Sequence, residues 1–281
     1  MKTASVNHLI LQFALVFLLV LPSCVERGSS GDQAENGSEI IKKEVILSPH
    51  TQEMLNHFPS PLAVTLMLRS AKASYMPVLT NPPDNLSRYF TEKTKALNLG
   101  IYSADLAYAS VYQRSDETSK FLFCTGKLAD DLGIGQVYNK ELLKKAEGFR
   151  DNRDSLVALA TRFGRETTDF LRRNNRTQVA VLAASGAFTE GLYIAVSLYQ
   201  LSPANASLKS GIQSQQESLD NLLLILDEFG EDVNVKPLAA ELAKLKPVFA
   251  AFATQPGKFP GQSEIAWAAD ITGRVRANMI R

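Results

Sequence analysis

Two stretches of this chain are apolar or small on nearly every helical face: ALNLGIYSADLAYASVY, from Ala96 to Tyr112, and VAVLAASGAFTEGLYIAVSLYQL, from Val179 to Leu201. A helix that is apolar all round must be buried on all sides. The two stretches therefore predict the central pair of a helical bundle. Each holds one carboxylate, Asp105 in the first and Glu190 in the second, and no basic residue. A buried carboxylate is costly unless it is paired, hydrogen-bonded or protonated, so each acid needs a reason to be there.

At helical spacing Asn98, Tyr102, Asp105 and Tyr112 share one stripe, with Tyr108 at its edge. Two readings fit. In one, the residues line a ligand pocket that includes Glu190, where the tyrosine faces stack a small molecule and Asp105 orients it. In the other, which asks for less, the same residues form a satisfied core network in which a cation such as Arg69, Lys95 or Arg153 neutralises the acids. Val179–Leu201 is also long enough to span a bilayer. Its wealth of Ala, Ser and Gly and its place inside the domain favour a bundle helix.

The rest of the chain supports an all-α, single-domain bundle of about eight or nine helices. Ser48-Pro49 and Ser60-Pro61 each set an N-cap before a helix-starting proline, the second leading LAVTLMLRSAKASYM. TNPPDN predicts a turn, followed by helices over Ser87–Tyr112 and Thr118–Leu132, the latter stopped at Gly133 and Gly135. Helical patterns follow in YNKELLKKAEGF, in NRDSLVALATRFGRETTDFLRRN and in 177–201, then near 205–229, 236–253 and 262–280. GIYSADLAYA and GAFTEGLYIA align without gaps, which suggests two similar helices related by a pseudo-twofold axis.

The amino-terminal residues carry a different kind of information. Lys2 precedes an uncharged run from Leu9 to Leu21, a length that suits an export signal and is short for a membrane span. LVLPSC then places Leu at minus three, Ser at minus one and Cys24 at the cleavage point. This layout is similar to the lipobox of bacterial lipoproteins, with Pro22 departing from the usual residue at minus two. The expected organisation is a signal over residues 1–23, lipidated Cys24 and a Gly- and Ser-rich tether over 24–47, and a helical domain over 48–281. Glu26 is the lone acid close behind Cys24, which favours the periplasmic face of the outer membrane over surface display. Cys124 then lacks an intrachain partner, and a small buried apolar role is expected for it. Roughly 230 residues after the tether can bury a core without disulfides.

Chemical motifs are scarce. The three histidines are His8, His50 and His57, so the main body has none, which removes His-based triads and Glu-x-x-His metal sites. LGIGQVYN lacks the third glycine of a dinucleotide loop, and CTGK lacks the upstream glycine of a phosphate loop. No catalytic residue, metal site or cofactor is assigned. A hydrolase or transferase using Asp105, Tyr108 and Glu190 is the enzyme alternative. The 30 basic and 29 acidic residues nearly cancel, which argues against a nucleic-acid partner. Arg162, Arg165, Arg172, Arg173 and Arg176 fall close to one helical face. Interleaved acids make that face an ion-paired solvent surface by default, with docking onto an anionic envelope surface as the sharper alternative.

At KALNLGIYSADLAYASVY the chain resembles a family of uncharacterised helical lipoproteins of Bacteroidota-type bacteria. Further matches lie in FPSPLAV, NPPDNLSRY, KLADDLGIG and NRDSL, with a looser one at ASGAFTEGLY, together spanning Phe58 to Tyr193. ASGAF stands where the family has a Gly-Gly-aromatic segment. The resemblance implies lipidation and a helical fold, and transfers no catalytic residue. The expected partners are the membrane, through the anchor, and an envelope protein or small ligand.

Overall fold

The computed structural model describes residues 45–136, 148, 152, 155, 158, 166–167, 169–253 and 258–281, all within one compact unit, Lys43–Arg281. The expected signal, Cys24 and most of the expected tether lie outside these residues. So do most of YNKELLKKAEGF and much of NRDSLVALATRFGRETTDFLRRN. Among the described residues the regular structure is helical, with no strand. Nine α-helices are described: α1 Pro49–Asn56, α2 Pro61–Ser70, α3 Glu92–Val111, α4 Ser115–Asp131, α5 Thr177–Leu201, α6 Ala206–Asp227, α7 Lys236–Ala243, α8 Lys246–Phe252 and α9 Gln262–Met279. Short 3-10 turns occupy Pro77–Leu79 and Pro83–Arg88.

α3 and α5 form the centre, as their all-round apolarity predicts. α4 and α2 pack on α3, while α6 and α9 pack on α5. By length and composition α5 could cross a membrane, but 83% of its most apolar window is buried inside the fold. Here the other helices, rather than lipid, supply its apolar surroundings. Cys124 is buried on α4 as a free thiol, pushed up to about 11 by burial.

Gly100 and Gly186 explain how closely the central helices approach. A Cβ on Gly100 would lie 1.9 Å from the Ala183 carbonyl oxygen, and one on Gly186 would lie 2.0 Å from that of Leu97. The two contacts are equivalent under a twofold rotation, because Gly100 and Leu97 align with Gly186 and Ala183 in the two similar segments. Ser103 Oγ bonds the Leu99 carbonyl, and at the matching place Thr189 Oγ1 bonds that of Ser185. The sequence echo is thus a local pseudo-twofold at the crossing.

Several helix ends differ from expectation for identifiable reasons. α2 stops at Ser70 instead of continuing to Met76, because Lys72 adopts φ 58° and Ala73 N–H bonds back to the Leu68 carbonyl. This is a Schellman closure built on a residue other than glycine, so no glycine marks it in the sequence. α3 starts at Glu92 rather than Ser87, where Thr91 and Thr94 cap each other reciprocally. The segment expected as one helix over 236–253 is two, with Pro247 in the first turn of α8 breaking the continuity. Gly133 ends α4 as expected, at φ 72°.

Replacing Gly100 or Gly186 with Ala should push the central helices apart and cost about 1–3 kcal/mol or more. Gly126→Ala in α4, where nothing lies within 4 Å of the added methyl, should instead gain roughly 0.5–1 kcal/mol. Urea-unfolding midpoints of the three variants will show whether the signs differ in this way.

Candidate functional site

The chain between α2 and α3 does not simply connect them. Residues 72–91 turn back and run along α3 as a strap, held by the polar stripe seen in the sequence. Tyr112 Oη donates to the Ala73 carbonyl at 2.7 Å. Tyr108 Oη accepts from Met76 N–H at 2.9 Å and donates to the Ser74 carbonyl at 3.2 Å. Asp105 Oδ2 accepts from Asn81 N–H at 3.0 Å, and Tyr102 Oη donates to the Pro82 carbonyl at 2.8 Å. Asn98 Oδ1 receives Asn81 Nδ2 at 3.4 Å. The partners descend α3 from residue 112 to 98 as the strap ascends from 73 to 82. An irregular segment buried on one side must satisfy its backbone groups elsewhere, and here the α3 side chains do so.

Aromatic packing adds to these bonds. Tyr75 of the strap stacks against Tyr108 with ring centroids 4.6 Å apart, and Tyr112 joins at 5.2 Å from Tyr108. Arg114 lies 5.5 Å from the Tyr75 ring centre, and Arg69 lies 5.9 Å from that of Tyr112. Burial pushes the phenols of Tyr75 and Tyr112 up to about 12 and raises those of Tyr102 and Tyr108 as well, so all four stay neutral at ordinary pH, and Tyr102, Tyr108 and Tyr112 act as donors.

Beneath the strap, α3, α5 and α9 bring three ionisable side chains together. Asp105 and Glu190 are fully buried, and Arg276 of α9 is 8% exposed. Arg276 donates Nε to Glu190 Oε2 at 2.5 Å and Nη2 to Oε1 at 2.7 Å, a two-pronged pair. Its Nη2 also reaches the Leu79 carbonyl of the strap at 3.3 Å, and the guanidinium sits 4.5 Å from the Tyr193 ring centre. The cation is therefore Arg276, and not Arg69 or Lys95 as the sequence suggested. Arg69 donates to the Val111 carbonyl, Lys95 pairs with Asp131 at 3.5 Å, and Arg153 lies outside the described residues.

Asp105 lies within hydrogen-bonding reach of Glu190, and its Oδ1 meets no donor. Burial, and next the Glu190 charge, hold the Asp105 carboxyl well above its usual range. Burial raises Glu190 too, but there Arg276 opposes it. The surroundings of Asp105 therefore favour its neutral form, while the pairing with Arg276 favours Glu190 as the anion. The trio then carries no net charge, as a dry interior demands.

This arrangement suits structure better than hydrolysis. Carboxyl pairs that flank a glycosidic bond stand about 5–9.5 Å apart with substrate between them. Asp105 and Glu190 are hydrogen-bond neighbours instead, and their oxygens face Arg276, Asn81 and each other. Among the described residues no group of three or more His, Cys, Asp or Glu is placed to hold a metal.

Three members of the arginine cluster lie among the described residues. Arg176 turns to the Leu132 carbonyl at the end of α4 and lies 3.4 Å from Glu92. Arg172 pairs with Asp169 at 3.2 Å, Arg173 is exposed, and Arg162 and Arg165 lie outside the described residues.

Sequence reasoning missed Arg276, Asn81, Asn85 and Tyr89. Arg276 does carry a signal, because it falls on the buried α9 stripe of Ile265, Ala268, Thr272 and Met279. Asn81 had none, since asparagine in a turn is ordinary; here it bonds Tyr89 and Asn85 as well as Asp105. The sequence matches no family model, and neither a curated protein nor a solved structure matches it.

Arg276→Met leaves Glu190 buried without its partner and should cost about 3–5 kcal/mol. Combining it with Glu190→Gln removes the uncompensated charge and should recover a large part of that loss. Chemical unfolding of the single and double variants checks the difference.

Proposed function

We propose that this chain is an exported bacterial lipoprotein, anchored through Cys24 to the envelope at the periplasmic face of the outer membrane. Its helical domain acts there as a binding or scaffolding module for an envelope protein or a small ligand. The observation that carries the choice of module over enzyme is the strap. Asn98, Tyr102, Asp105, Tyr108 and Tyr112 direct their polar groups onto the strap, the C-terminal helix or Glu190. Side chains that a catalytic reading would aim at substrate are occupied in holding the fold, so the outer surface is what the domain offers to others.

The anchor reading is supported by the apolar run ending in LVLPSC, by the polar tether after it, and by Cys124 being buried and reduced. Cys24→Ala, expressed in a Gram-negative host, should remove incorporation of labelled fatty acid and move the protein from the membrane to the soluble fraction. Continued lipid labelling and membrane attachment of the variant would sink this reading.

A further inference from the structure

The strap is a single layer between solvent and the acid pair. Lys72, Ser74, Pro77, Val78, Pro82, Asp84 and Phe90 are exposed on its outer side, while Thr80, Asn81 and Asn85 are buried on its inner side. Its two 3-10 turns are short, and much of its attachment is side chain to backbone. Such a segment opens at lower free energy than the packed helices around it. Two of its attachments end on the trio itself: Asn81 N–H on Asp105, and the Leu79 carbonyl on Arg276.

We propose that the strap is a proton-held latch, in which one proton retained between Asp105 and Glu190 keeps residues 72–91 closed over α3 and its loss in alkaline conditions opens them. With the proton in place, one anion faces one guanidinium. Without it, two buried carboxylates face a single Arg276, and Asp105 must be hydrated. The Asn81 N–H favours the Asp105 anion, yet it weighs less than burial and the Glu190 charge together. On the other sides lie α5 with Glu190 and α9 with Arg276, both fixed by the core. Water reaches Asp105 most cheaply by lifting the strap.

The remaining titratable groups around Asp105 do not compete in this range. They are Tyr102 and Tyr108 on α3, Tyr75 and Tyr89 on the strap and Cys124 on α4, all raised by burial. Cys124 is pushed up to about 11 and Tyr75 to about 12, so both keep their protons near neutrality and leave Asp105 as the raised carboxyl under the strap. The folded chain holds this proton more tightly than the unfolded chain does. Stability therefore falls as pH rises from the ordinary carboxylate range towards the raised Asp105 value, and levels off above it. Opening would expose the phenol and guanidinium groups of the seam, which makes their accessibility a function of proton concentration.

Hydrogen exchange of the intact protein tests the latch between about pH 6 and about pH 9, a window that brackets values reached by buried carboxyls. After correction for the intrinsic pH dependence of exchange, protection of the Met76, Leu79, Asn81 and Asn85 amides should fall at least about tenfold, because releasing one proton on opening lets the opening constant rise by up to about tenfold per pH unit. Protection in the middle of α3 and α5 should fall less. In Asp105→Asn, whose amide can donate to Glu190 and accept from Asn81 without titrating, strap protection should not change with pH. Wild-type protection that does not fall, or a variant that tracks the wild type, would overturn the proposal. Carbon-13 carboxyl shifts of the wild-type protein decide the matter if the variant does not fold: Asp105 neutral and Glu190 ionised at neutral pH is expected, and both ionised would overturn it.

Discussion

The bidentate pair between Arg276 and Glu190 is the interaction on which the interior of this fold depends. Glu190 sits in the most apolar helix of the bundle, where an unpaired carboxylate would be intolerable. Arg276 comes from the last helix, so the centre of the fold is complete only when the C-terminal segment has docked. Asn98 reinforces the same closure by donating to the Met279 carbonyl at 2.9 Å. With Glu190 neutralised, Asp105 has an acceptor for its proton and can in turn hold the strap. The chain of dependence thus runs from α9 through α5 and α3 to residues 72–91.

Close packing makes these short contacts possible. Gly100 lies one and a half turns before Asp105, and Gly186 one turn before Glu190, so the point where the backbones nearly touch is next to the acid pair. Bulkier residues at either glycine would separate the helices and, with them, the two carboxyls. The pseudo-twofold therefore has a chemical consequence, although it is not perfect: Asp105 and Glu190 are offset by one residue in the aligned segments. That offset gives the two acids different surroundings, one under the strap and one against the guanidinium, and so different protonation.

Much of this was legible in the sequence. All-round apolarity marked α3 and α5 as central, the spacing of Asn98, Tyr102, Asp105, Tyr108 and Tyr112 marked one stripe, and the lone acids marked the place that needed explanation. What covers the stripe was not legible. The strap depends on Lys72 adopting a left-handed conformation, which no glycine announces, and on Asn81, whose side chain reads as ordinary turn chemistry. The true cation was legible in principle, as an arginine on an otherwise buried helical stripe. It was missed because nearby arginines in sequence are not the near ones in space: Arg69 is adjacent to α3 yet caps its far end at Val111. Pro247, also readable, split a helix that apolar spacing alone had run together.

Neutron diffraction from a deuterated crystal near neutral pH would observe the proton between Asp105 and Glu190 directly. The expected result is a deuteron on Asp105 directed at Glu190, with Glu190 bare and Arg276 fully deuterated. A deuteron on Glu190, or an ionised Asp105 beside bound water or a cation, would contradict the reading of this interior as a self-neutralised structural network.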